Sequence, residues 1–200
     1  MDVFENEIKE KLTSLTYEKK MLFALLTCEK LYPNYLYFQK RCNWGNSNAL
    51  LEAMAAMYQS LFKSNLFSHP EILNYIEAVD LATPDTEDFS DSWVSSALDA
   101  CTAVYSSLNF MIDRDIKHVI DVATYARDTV YMFIVNRDNL DMNVKGMDDK
   151  VSNDPLMLRE MNRQSSTMDK LGGLKDSDIS DELIRNLNQG LPIIDIDNSN

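Results

Sequence analysis

Glycine and proline are scarce, with five of each in 200 residues, below the ~7 % and ~5 % of ordinary usage. A sheet protein needs turn residues at every hairpin, and a phosphate-cradling loop needs glycine, so the shortage argues against both. The three cysteines (Cys28, Cys42 and Cys101) are odd in number and widely spaced. They read as reduced thiols of a cytoplasmic protein rather than a disulfide framework. Only two histidines are present, so a Cys/His pair would arise only by tertiary accident. The apolar runs MLFALLTC and VYMFIV fall far short of the ~20 residues of a membrane span. MDVFENEIKE is acidic, without a basic segment leading into an apolar one, and does not read as a secretory signal.

Positive charge is missing over a long interval. The net charge is −13, and no Lys or Arg occurs between Lys63 and Arg114, where Glu71, Glu77, Asp80, Asp85, Glu87, Asp88, Asp91, Asp99 and Asp113 lie. Phosphate backbones and anionic membranes repel such a chain, which argues against nucleic-acid and membrane partners. The acidic interval reads either as a solvated surface or as a docking face for a basic partner.

What is present is helical punctuation. Apolar spacing predicts helices over 5–14, 17–31, 48–64, 69–79, 91–112, 114–136, 155–171 and 178–188. Pro33 is expected to end the second helix and open a short one over 34–42, with Tyr32, Tyr35, Tyr37 and Phe38 filling the corner between them. Ser68 and Glu71 have capping-box spacing. Asp113 is a candidate cap for 114–136, and Asp154-Pro155 marks a helix start. The stripes Val94, Ala97, Leu98, Cys101, Val104, Tyr105, Leu108, Met111 and Ile116, Val119, Ile120, Ala123, Val130, Phe133, Ile134 predict an antiparallel hairpin. All 19 aromatics precede residue 134, and five of the 11 methionines follow residue 137. Residues 1–137 therefore read as an aromatic-rich helical core. Residues 138–200 read as a helical arm packing on it or across a dimer, entered through the linker DMNVKGMDDKVS.

Catalytic patterns are weak. Gly45-Asn46-Ser47-Asn48-Ala49 lacks the strand and second glycine of a nucleophile elbow. Asp115, His118 and Asp121 share one helical face without a matching set elsewhere. Asp85, Glu87, Asp88 and Asp91 lack the central glycine and final glutamate of a calcium loop. Neither a cofactor nor a metal is expected. Asp99 lies beside an apolar stripe, where a carboxylate needs hydrogen-bond partners.

Cys28-Glu29-Lys30-Leu31-Tyr32-Pro33-Asn34-Tyr35, with Phe38 and Gly45 beyond, resembles the opening signature of the YjaG-like bacterial proteins, a domain of unknown function. Ala97-Leu98-Asp99-Ala100-Cys101 resembles their second signature, and Thr129-Val130 and Glu182-Leu183-Ile184 are similar too. The resemblance implies an all-helical, cytoplasmic bacterial protein of about this size and supplies no reaction, cofactor or catalytic residue.

The expectation is an all-α single domain, an irregular bundle of seven to eight helices around a central antiparallel hairpin. Its leading function is a non-catalytic interaction module, homodimeric and open to a basic protein partner; an inhibitor or immunity-type protein is one version. The alternative is a small-molecule binder or enzyme with a pocket near Tyr32, Asn34, Tyr35 and Asp99.

Overall fold

The computed structural model describes residues 3–63, 66–190 and 192–194. Within them the chain is all-α: α1 (Val3–Thr13), α2 (Tyr17–Cys42), α3 (Ser47–Phe62), α4 (His69–Ala82), α5 (Val94–Asp113), α6 (Ile116–Arg137), α7 (Met147–Ser152), α8 (Pro155–Gly173) and α9 (Asp181–Leu187), with a 3-10 turn at Asp176–Asp178.

The α5–α6 hairpin is the centre of the bundle. α5 packs against α2, α3, α4 and α6 at once. A helix buried on so much of its circumference needs small side chains, and α5 supplies Ser96, Ala97, Ala100, Cys101, Ala103, Ser106 and Ser107 at its buried positions. The Ser107 hydroxyl donates to the Ala103 carbonyl at 2.8 Å, which satisfies a polar group within its own helix. Cys28 and Cys101 are buried in this core, and burial pushes each thiol up to about 12.

Three local expectations are corrected. Pro33 does not end a helix: α2 runs through it to Cys42. The proline removes the N–H that would bond the Glu29 carbonyl, but Leu31, Asn34, Tyr35 and Phe38 are all buried on either side of it. That burial holds the backbone helical, so there is no corner for the aromatics to fill. Phe38 instead meets Trp44 and Phe89 edge-on, with ring centroids 6.1 and 5.0 Å away. The cap of α6 is Asp115, whose carboxylate accepts from the Lys117 N–H at 2.9 Å. Asp113 accepts from the Asp115 N–H instead. The expected linker contains α7.

The later elements close on the body. α8 lies against α6, α2 and α1, beginning at Asp154, which accepts from the Leu156 N–H at 2.8 Å. The same carboxylate receives Arg137 from the end of α6 at 2.7 Å. The seam facing α6 is lined by Met132, Met157 and Met161 and leaves an open groove of about 900 Å³. Two buried lysines of α2 reach the carboxyl ends of later helices. Lys19 Nζ donates to the Leu174 carbonyl at 2.6 Å, and Lys30 Nζ to the Asn188 and Gly190 carbonyls at 2.7 and 3.1 Å. Each ammonium sits where helix carbonyls lack partners and the helix dipole is negative. The Ile193 N–H donates to the Lys30 carbonyl at 3.3 Å.

Candidate functional site

The four residues singled out in the sequence take different places. Tyr35 is fully buried. Its hydroxyl donates to the Ala82 carbonyl at 2.6 Å and accepts from the Asn46 N–H at 3.0 Å. One hydroxyl thus ties the carboxyl end of α4 to the amino end of α3, and burial pushes it up to about 12. Gly45 follows from this contact. Its φ is +103°, and a Cβ there would lie 2.5 Å from the Tyr35 hydroxyl, so both backbone and space select glycine. Asn34 is also sealed, and its amide oxygen and nitrogen find no hydrogen-bond partner among the described residues.

Tyr32 points elsewhere, into a surface depression shared with Glu29, Leu51, Met54 and Tyr58. Burial raises the Glu29 carboxyl above its ordinary value.

Asp99, on α5, is half-buried and accepts from the Thr129 hydroxyl of α6 at 2.7 Å. Burial pushes its carboxyl up to about 7, with the Thr129 hydrogen bond opposing and Asp128 adding. Two segments that carry the YjaG-like resemblance therefore meet at one hydrogen bond. Asn34 and Tyr35 are adjacent on α2, whereas Tyr32 opens on another surface and Asp99 is tied across the hairpin. His118 Nε2 lies 3.0 Å from Asp113 Oδ2, a residue outside the Asp115, His118, Asp121 triplet.

The acidic interval has a shape that its composition did not show. On α4, Leu73, Glu77, Asp80 and Leu81 all fall within about 100° of one helical face, and all four are exposed. Leu73 is 47 % and Leu81 76 % exposed, whereas the buried side of the helix is Ile72, Val79 and Ala82. Several of the acids serve locally. Glu71 accepts from the Ser68 N–H and hydroxyl, completing the glutamate half of the capping box. Asp85 accepts from the Glu87 N–H, and Asp91 pairs with Arg41 at 2.7 Å. Glu77, Asp80, Glu87 and Asp88 make no ion pair among the described residues. The result is an exposed leucine pair set among unpaired carboxylates. Leucine spacing on α4 could have shown it in the sequence, since Leu73 and Leu81 are eight residues apart and off the Ile72–Val79 stripe.

Among the described residues no helix is long and apolar enough to cross a membrane. A family model described as a protein of unknown function, DUF416, matches residues 7–198. The uncharacterized protein YjaG of Salmonella typhimurium is 23 % identical over 190 residues, covering 94 % of this chain and 93 % of that protein. YjaG of Escherichia coli K12 matches to the same extent. Among solved structures, a DUF416 family protein from Shewanella baltica superposes with a TM-score of 0.79 at 25 % identity, covering 94 % of this chain and 91 % of that one.

Proposed function

For this chain, which belongs to the DUF416 family of proteins of unknown function, we propose a non-catalytic interaction module whose acidic-apolar face on α4 docks a basic protein partner. The single observation that supports the reading most is the pair Leu73 and Leu81, exposed on the same face as Glu77 and Asp80. Covering the exposed parts of these two leucines contributes at most about 1.5–3 kcal/mol each, before the entropy of association is subtracted. The surrounding carboxylates steer a cationic partner to the surface and disfavour an acidic one. A second copy of this chain would bring like charges together here, so the occupant fitted by charge is a different protein, with leucine-sized apolar groups flanked by Lys or Arg.

The test uses two synthetic amphipathic peptides as probes, one of leucine and lysine and one of leucine and glutamate, followed by fluorescence anisotropy. The lysine peptide is expected to bind, with affinity falling at least tenfold between low and high salt, and the glutamate peptide is not. The double substitution Glu77→Lys, Asp80→Lys should abolish binding. These positions are exposed, so stability should stay within about ±0.5 kcal/mol. If the charge reversal leaves lysine-peptide binding unchanged, the docking face is elsewhere and this reading is lost. Sedimentation of the protein alone covers the remaining occupant: a dimer that Leu81→Ser dissociates would assign the face to a second copy.

A further inference from the structure

A different surface carries a separate inference, independent of the α4 face. In a chain with 32 acidic and 19 basic residues, three cations converge on one small pocket. It lies between α2, α8 and the segment after α9, has a volume of about 230 Å³, and is walled by Lys30, Arg159, Arg163, Glu160, Leu26 and Leu187, with Thr167 at its edge. We propose that this pocket binds a small organic anion, its carboxylate or phosphate group held by Arg159 and Arg163 and a short apolar body resting on Leu26 and Leu187.

Three features support a ligand beyond a structural latch. First, among the described residues one carboxylate lies in the wall, and it is already engaged. Glu160 is 2 % exposed. Its Oε2 accepts from Arg163 Nε and its Oε1 from Arg163 Nη2, both at 2.7 Å. Gln164 Nε2 adds a third bond at 2.8 Å. Held by three donors, Glu160 fixes the Arg163 guanidinium in place. Second, donors remain. Arg159 uses Nη2 to hold the Pro192 and Ile193 carbonyls, and its Nε and Nη1 donate to nothing among the described residues. Arg163 likewise keeps Nη1. Two guanidiniums with unspent N–H groups can each donate to an oxygen of a carboxylate or phosphate. Third, among the described residues of the wall three cationic groups face one carboxylate. Burial foremost, and then the Arg163 charge, lower the proton affinity of Lys30, with Glu29 and Glu160 opposing. An anion in the pocket would relieve that repulsion in a poorly solvated place, where charge pairing is strong.

Size narrows the class. About 230 Å³ is below the usual range of drug-sized sites. It suits inorganic phosphate or an acid of a few carbons, and excludes a nucleotide.

The experiment is titration calorimetry and thermal shift on the full chain at constant ionic strength, with inorganic phosphate, succinate and isovalerate as probes. Isovaleramide serves as the uncharged match to isovalerate. At least one anion is expected to bind at one per chain and raise the melting temperature, and the amide is not. Binding led by phosphate would assign a phosphate ligand, and binding led by isovalerate or succinate a carboxylate. Arg159→Gln should weaken the effective anion at least tenfold. Since Arg159 also holds the segment after α9, Thr167→Phe is the second variant: it fills the pocket without touching a cation and should abolish binding while leaving the melting temperature of the free protein unchanged. If none of the three anions binds at millimolar concentration, or if both variants bind like the parent, the pocket is a latch alone and the proposal is overturned.

Discussion

The body, α1 to α6, and the later elements, α7 to the segment after α9, are held in different ways. In the body, the buried hydroxyls of Thr27 and Ser107 bond within their own helix, to the Phe23 and Ala103 carbonyls, while those of Tyr35 and Thr129 join neighbouring elements. Aromatic edges and alanine-lined contacts do the rest. The later elements carry no aromatic residue. They attach through methionines and long charged side chains, by bonds that join residues more than 150 positions apart, such as Lys19 to Leu174 and Lys30 to Asn188. Apolar packing serves both, since Val151, Met157, Leu171, Ile184 and Ile194 are buried in the same core as the body, and the later elements add a few directional cationic contacts. The first kind leaves a periodic trace in sequence; the second does not.

The contrast can be broken most forcefully in the body. Phe38→Ala removes a fully buried ring from its contacts with Trp44 and Phe89. It should cost about 3–5 kcal/mol and lower the denaturant midpoint of the whole cooperative transition.

Asp99 tests the opposite sign within the same region. Its folded pKa of about 7 stands above the ordinary 3.8, so the native state holds the proton more tightly than the unfolded chain. The contribution of Asp99 to stability is therefore full below about pH 4 and is lost as pH rises through about 7. Asp99→Asn can still accept from Thr129. It should remove that slope and stabilise the protein at pH 8 by on the order of 2–4 kcal/mol, as read from unfolding curves across pH.

Lys30→Met addresses the arm. It leaves the carbonyls of Asn188 and Gly190 without their ammonium and should cost about 1–3 kcal/mol. Hydrogen exchange should speed up over α9 and leave α5 and α6 protected. Uniform loss of protection across α5 and α9 would show that the arm and body are one cooperative unit, and the contrast would then dissolve.

The same division explains what could be read beforehand. The hairpin was legible because Ala97, Cys101, Val104 and Leu108 repeat on α5 and Val119, Ala123, Val130 and Ile134 on α6. The start of α8 was legible because Asp154-Pro155 is a local signal. Pro33 misled because its local preference was outweighed by burial of Leu31, Tyr35 and Phe38, a tertiary effect. α7 was hidden by its brevity, six residues in a polar stretch. At the candidate sites, Tyr32, Asn34, Tyr35 and Asp99 attracted notice as unusual residues in apolar company. Lys30, Arg159, Glu160 and Arg163 did not, because a charged residue in an amphipathic helix ordinarily faces water. Their convergence is set by how α8 lies on α2, which periodicity does not encode.

The lysine contacts of α2 also order events in time. Lys19 precedes its partner Leu174 by 155 residues, and Lys30 precedes Asn188 by 158. At ordinary synthesis rates of ≈ 5–20 residues per second, roughly 8–30 s separate the emergence of each ammonium from that of the carbonyl that receives it. Through that interval the hairpin can collapse on α2 while both lysines remain in water. Their burial is therefore a closing step, taken only when translation has delivered the segment that completes it.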